Sequence, residues 1–229
     1  MEKKVIGMLP FKGEWLVSAT PAKRMPSHGT TLFGVTYAYD FFRVNDKGRS
    51  SNKLTWRTLI SKEDPVDFYC FDLPVFAPVS GRIVAVHCEE EDNDVRRSLP
   101  AGIPYMMKQA QRIAGGPANI AGNYIMIQDD KSKQYVVIVH LKARSITCEA
   151  GAWINAGEEV GRCGNSGNST QPHIHIQAMN HHDFYLAQGV PLFFCHYYEK
   201  KKQDRSAKLV DYGIPAYKSQ VFAKRKGLS

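Results

Sequence analysis

Pro172-His173-Ile174-His175-Ile176-Gln177 sets two imidazoles two residues apart in an otherwise apolar run. Side chains alternate between the faces of a strand, so His173 and His175 share one face while Ile174 and Ile176 enter the opposite layer. Their β-carbons then lie about 7 Å apart, too far to share one hydrogen and close enough to serve one metal-centred site. One ring can bind an ion while the other addresses water or substrate. A histidine pair on a strand is more often a surface feature. Here the polar run from Gly164 to Thr170 precedes it and reads as a flexible loop at a cleft edge. His140 closes the apolar run Tyr135 to Val139, where a histidine by itself is usually a hydrogen-bonded core or rim residue. Upstream, His28 precedes the run Val35 to Phe41. In that run Asp40 shares a face with Thr36 and Ala38, while Val35, Tyr37, Tyr39 and Phe41 take the other. A carboxylate on the small-residue face suits a site or open solvent equally. Three histidines and a carboxylate match zinc, which takes nitrogen and oxygen ligands and keeps one position open when the site is catalytic.

These residues sit among short strands separated by Gly and Pro clusters. Strands are expected at Trp15 to Ser18, Val35 to Phe42, Arg82 to Cys88, Asn123 to Gln128, Tyr135 to Leu141, Glu159 to Cys163, His173 to Met179 and Leu192 to Tyr197. That spacing favours a mainly β fold, a compact sandwich or barrel-like arrangement with a small inserted segment. The insertion spans about residues 89–120: Glu89 to Asp94 holds five acids in six positions and reads as a solvated loop. A short helix is expected between Ile103 and Ile113, ended by Gly115-Gly116-Pro117. The chain divides into an N-terminal strand or extension (1–23), the β domain (24–180), and a C-terminal strand with a basic tail (181–229). His87, His181, His182 and His196 read as structural.

Composition bounds the rest. At 229 residues the chain is long enough to bury a core without disulfides. No apolar stretch reaches membrane-spanning length, and the first twenty residues lack a secretory h-region. The five cysteines are odd in number and widely spaced, fitting neither a disulfide framework nor a cysteine zinc site. They suit a reducing compartment, and location stays open. From Glu199 onward nine basic residues face three acids, which supplies +6 of the net +8. A solvated terminus is the favoured reading. The tail lacks interleaved aromatics for base stacking, so nucleic acid is not an expected partner, and an anionic wall polymer is the candidate ligand.

Taken in order, several motifs resemble the lysostaphin/LytM-type zinc endopeptidases. They are Pro74-Val75-Phe76-Ala77-Pro78-Val79-Ser80-Gly81-Arg82-Ile83-Val84, Gly122-Asn123-Tyr124-Ile125-Met126-Ile127, Val139-His140-Leu141, and the stretch from Gly151 to His175. The resemblance covers roughly residues 24–180. It implies a duplicated hybrid motif fold, one Zn2+ ion, and cleavage of peptide bonds in the cross-bridges or stem peptides of peptidoglycan, by a monomer. It assigns zinc to His28, Asp40 and His175, and the acid–base and transition-state roles to His140 and His173. The family's early His and Asp are separated by three residues, whereas eleven separate His28 from Asp40. Twelve extended steps would span about 40 Å, so the segment must fold back, and Gly29 and Gly34 suit a hairpin. Two other readings share the fold: a phosphohistidine carrier domain of the sugar-phosphotransferase type, and a catalytically silent wall-binding module.

Overall fold

Alternation governs the strands at the centre of the molecule. The computed structural model describes residues 4–53, 62–95 and 116–223. Its strands are β1 (Val5–Gly7), β2 (Glu14–Ala19), β3 (Tyr39–Phe42), β4 (Pro74–Phe76), β5 (Gly81–His87), β6 (Asn123–Asp129), β7 (Tyr135–Leu141), β8 (Trp153–Ile154), β9 (Glu159–Arg162), β10 (Ile174–Met179), β11 (Gly189–Val190), β12 (Leu192–Lys200), β13 (Lys208–Gly213) and β14 (Gln220–Ala223). A single described α-helix, α1 (Pro117–Ala121), precedes β6. The fold is mainly β, as expected. Twelve strands form one sheet in the order β1-β12-β14-β2-β3-β10-β7-β6-β5-β8, with β11 beside β10 and β13 beside β12; β4 and β9 pair separately.

In β10, Ile174, Ile176 and Ala178 join Ile125 and Ile127 of β6, Ile138 of β7 and Phe41 of β3 in the main core. Trp15 and Phe194 extend this core, and Phe11 stacks on Trp15 with ring centroids 4.7 Å apart. Each large apolar side chain buried this way contributes about 1.5–3 kcal/mol. The opposite face of the same strands carries a smaller apolar layer of Met126, Val137, Val139 and Met179, and it is on this face that His175 and Gln177 stand.

Three local expectations change. Val35 to Tyr37 belongs to a 3-10 segment, Leu32–Tyr37, and the reversal between His28 and Asp40 is made there rather than by a hairpin. Phe33 (φ 58°) and Gly34 (φ 77°) are left-handed in succession, which turns the chain without cross-strand pairing. The C-terminal segment is more than one strand with a solvated tail. β12, β13 and β14 all pair, and β14 lies between β12 and β2 with Val221 opposite Trp15. The charge density of this segment masks the short apolar runs, Leu209-Val210 and Val221-Phe222, that carry its pairing. The helix expected at Ile103 to Ile113 lies outside the described residues, as do Lys224, Arg225 and Lys226.

Candidate metal and catalytic centre

Strand register brings the first two groups together. In the antiparallel pair β3–β10, Asp40 is directly opposite His175, and on its other side His175 is opposite Val139 of β7. Directly opposed residues point to the same face, and His175 Nδ1 lies 2.9 Å from Asp40 Oδ1. His173, two residues earlier, points the same way, with Nε2 3.6 Å from Asp40 Oδ1.

His140 arrives differently. By alternation it would follow Val136 and Ile138 into the main core. Between Asn123 and Ile125 β6 advances two residues while its β7 partners run from Leu141 to Ile138, so β7 carries an extra residue, a β-bulge. His140 sits in that bulge with φ 61°. Its ring therefore turns toward the histidine pair, with centroids 4.9 Å from His173 and 5.8 Å from His175.

His28 comes from the far side of the 3-10 segment, where Ser27 N donates to Thr36 O at 3.0 Å. His28 Nε2 then lies 3.1 Å from Asp40 Oδ2, and its ring is 4.8 Å from that of His175. All five expected residues converge on one centre.

Three of the rings are held from behind by oxygen. His140 Nδ1 donates to Ser166 O at 2.9 Å, and His173 Nδ1 donates to Gln171 O at 2.8 Å. Ser27 Oγ donates its proton to Val35 O and lies 3.0 Å from His28 Nδ1, from which it accepts. In each case Nδ1 carries the hydrogen and Nε2 is left to face the centre. Donor atoms of His28, Asp40 and His175 lie within 4.8 Å of one another, as do those of His140, His173 and His175. Ligand bonds of 2.0–2.2 Å at tetrahedral angles would set zinc donors about 3.4 Å apart. Asp40 meets His28 through Oδ2 and His175 through Oδ1 at 3.1 and 2.9 Å, so the donor types and spacing of the first group are compatible with zinc.

Electrostatics separates the groups. Burial acts to lower the His28 pKa, but the charge and hydrogen bond of Asp40 outweigh it and the value is raised. Burial acts to raise that of Asp40, yet His28 and His173 beside it hold the carboxyl well below its usual range. His140 is pushed well below the ordinary imidazole value, first by burial and then by His173 and His175. His173 is lowered, again mainly by burial. Neutral His140 and His173 are proton acceptors, while Asp40 is an anion. A small cleft of about 60 Å³ opens beside His140 and His175, walled by Phe33, Val35, Ile120, Val139 and Phe184. Apolar walls thin out water and strengthen the fields inside.

Two stretches of sequence conceal supporting residues. The run Gly164 to Thr170 is a braced element rather than a flexible loop: Asn165, Ser166 and Ser169 are buried. Ser166 Oγ donates to Leu141 O at 2.8 Å and accepts from Asn123 N at 2.9 Å. The acidic stretch after Glu89 supplies the brace. Asp92 accepts from the backbone N–H of Asn165 and, at 3.1 Å, of Ala143; Asn93 Nδ2 donates to Gly167 O at 2.9 Å. Burial raises the Asp92 pKa against the pull of these amide bonds. Acid density alone reads as solvated surface, and no local spacing marks Asp92 as an anchor.

Residues 63–185, just over half of the chain, match Peptidase family M23. The chain belongs to that family. The matched span of this M23 chain holds His140, His173 and His175, and His28 and Asp40 lie upstream of it. Among solved structures it is similar to the catalytic domain of the antimicrobial peptidase lysostaphin from Staphylococcus simulans, at 18% identity over 80% of this chain and 84% of that one, with a TM-score of 0.38. It is also similar to a point mutant of the catalytic domain of the prophage-encoded M23 protein EnpA from Enterococcus faecalis, at 16% identity over 80% and 93% of the two chains, TM-score 0.44. A zinc-containing peptidase from Vibrio cholerae matches at 14% identity over 66% and 48%, TM-score 0.32.

Proposed function

We propose that this M23 chain is a zinc-dependent endopeptidase that hydrolyses peptide bonds in peptidoglycan. The observation that carries the reading is the convergence of Asp40 and four imidazoles in two donor groups that share His175, in a chain of a peptidase family. His28, Asp40 and His175 would hold the ion. Zinc bound there supplies a Lewis acid for the scissile carbonyl and makes water acidic enough to deprotonate near neutral pH.

The chain's own residues supply the proton traffic. His140 and His173, kept neutral by burial and with Nδ1 committed to backbone oxygen, offer Nε2 to take a proton from water and return it to the leaving amine. Once protonated, either Nε2–H can donate to a developing oxyanion. The phosphohistidine carrier is the weaker reading. Asp40 lies 3.6 Å or less from His28, His173 and His175, and an anionic carboxylate there repels a phosphoryl group on any of those three rings.

The decisive experiment incubates zinc-loaded protein with purified peptidoglycan and identifies new amino ends by mass spectrometry. New amino ends that disappear with a chelator and return with zinc are expected. Intact cross-bridges and stem peptides after exhaustive digestion would overturn the proposal.

A further inference from the structure

Gln177 follows the histidine pair on the same face of β10 and is buried. Its Nε2 lies 2.6 Å from the carbonyl oxygen of Phe33, and its Oε1 lies 3.0 Å from His175 Nε2. A backbone carbonyl only accepts, so the nitrogen end of Gln177 faces Phe33 and the oxygen end faces His175. An amide oxygen also only accepts, so His175 carries a hydrogen on Nε2. Its Nδ1 is then the nitrogen that meets Asp40 Oδ1 at 2.9 Å. With the ring neutral these are two acceptors in contact, an arrangement that a cation between them stabilises. His175 is thus mounted the opposite way round from His28, His140 and His173, whose Nδ1 atoms are the ones held from behind.

We infer that Gln177 is a positioning residue that sets the ring orientation and tautomer of His175 for metal binding through Nδ1. The 3-10 segment Leu32–Tyr37 holds Gln177 in turn. The left-handed pair Phe33–Gly34 aims the Phe33 carbonyl at the amide, and Met179 Sδ lies 3.7 Å from the same nitrogen. At Gly34 an added Cβ would come within 3.0 Å of Met179 Cβ and 3.3 Å of Gln177 Nε2, so the corner packs directly on the residue it orients. The long separation between His28 and Asp40 thereby has a second use: the loop that returns one ligand also fixes the support of another.

This inference rests on the zinc reading, and the experiment separates the two. Zinc affinity is measured by chelator competition for the wild type, Gln177→Leu and Gln177→Glu, beside the thermal midpoint of each metal-free protein. Removing the acceptor in Gln177→Leu should weaken zinc binding about 10–100-fold, and Gln177→Glu, which keeps an acceptor for Nε2–H but gives up the donor to Phe33 O, should recover only part of the loss. A purely structural role would lower the thermal midpoint and leave the affinity of the folded protein unchanged. Wild-type zinc affinity in Gln177→Leu overturns the inference and leaves the zinc reading standing, whereas a wild type that binds no zinc overturns the zinc reading itself. A further test needs no variant. In metal-free wild type at alkaline pH, nitrogen-15 NMR should find the His175 proton on Nε2, and a proton on Nδ1 refutes the assignment.

Discussion

At the centre, identical side chains are given different tasks by what lies behind them. His175 offers Nδ1 because Gln177 takes its Nε2–H, while His140 and His173 offer Nε2 because backbone carbonyls take their Nδ1–H. The variants should divide accordingly. His175→Ala and Asp40→Asn are expected to lose stoichiometric zinc, measured by elemental analysis of the purified protein. His140→Ala and His173→Ala should retain it while turnover on peptidoglycan falls about 10²–10⁴-fold, the usual span for removing a general acid or base. The shifted imidazoles also set the pH response of the metal-free protein. His28, raised in the fold, binds more protons folded than unfolded above its ordinary value of 6.5, so stability rises as the pH falls toward 6.5. His140 and His173, lowered in the fold, bind fewer protons folded than unfolded below 6.5, so stability falls as the pH drops further. Asp40, with its depressed pKa, adds its own loss only once the pH falls below 3.8 toward its folded value. The thermal midpoint of chelator-treated protein should therefore peak near pH 6.5, and a midpoint still climbing at about pH 5 would contradict the assigned shifts.

Among the elements, the turn from Asn165 to Gly167 is the brace behind His140. Gly122 and Gly167 meet backbone to backbone: a Cβ on Gly122 would lie 2.5 Å from Gly167 N, and one on Gly167 would lie 2.3 Å from Gly122 N. Both have positive φ, 62° and 67°. Gly167→Ala should therefore cost more than about 1 kcal/mol from the backbone conformation alone and more from the clash, read as a fall in the chemical-denaturation midpoint. Asp92→Ala strips the acceptor from two backbone amides, worth about 1–3 kcal/mol each where they stay unpaired. Since the Asn165–Ser166 turn seats His140, that variant should lose turnover with zinc content intact. The bulge at His140 belongs to the same scale. Alternation along Tyr135 to Leu141 aims the ring into the core, and only the extra residue in β7 brings it to the site.

The whole molecule depends on its C-terminal segment. β14 joins β12 to β2, so the order of the sheet is continuous only with residues 220–223 in place. Val221 is fully buried in the main core. Val221→Asp should cost more than about 3 kcal/mol, because an unpaired charge would enter an apolar layer. A chain ended after Lys200 should not give the cooperative unfolding transition of the full chain, followed by far-UV circular dichroism. A solvated tail would make both changes harmless. Among the described basic residues of this segment, Lys200 and Lys208 are exposed on paired strands and Lys201, Lys202, Arg205 and Lys218 are exposed in the connecting turns, while Val221 packs inward. Anionic wall polymers stay a candidate ligand for that surface, with binding that weakens steeply as salt rises.

What the sequence determined by itself was local. The apolar run Tyr135 to Val139 and the alternation in His173 to Met179 marked both strands, the alternation placed His173 and His175 on one face, and the family resemblance then assigned the donors. Motif order was enough to point to the peptidase family. The tertiary structure decided what depends on partners distant in the chain. Register set Asp40 opposite His175, a bulge swung His140 round, a left-handed corner replaced the expected hairpin, and a stretch of acids became the anchor of a buried turn. Alternation and composition are properties of neighbours along the chain, whereas a hydrogen bond between Asp92 and Asn165, or between Phe33 and Gln177, exists only after the fold has formed and brought its acceptor within reach.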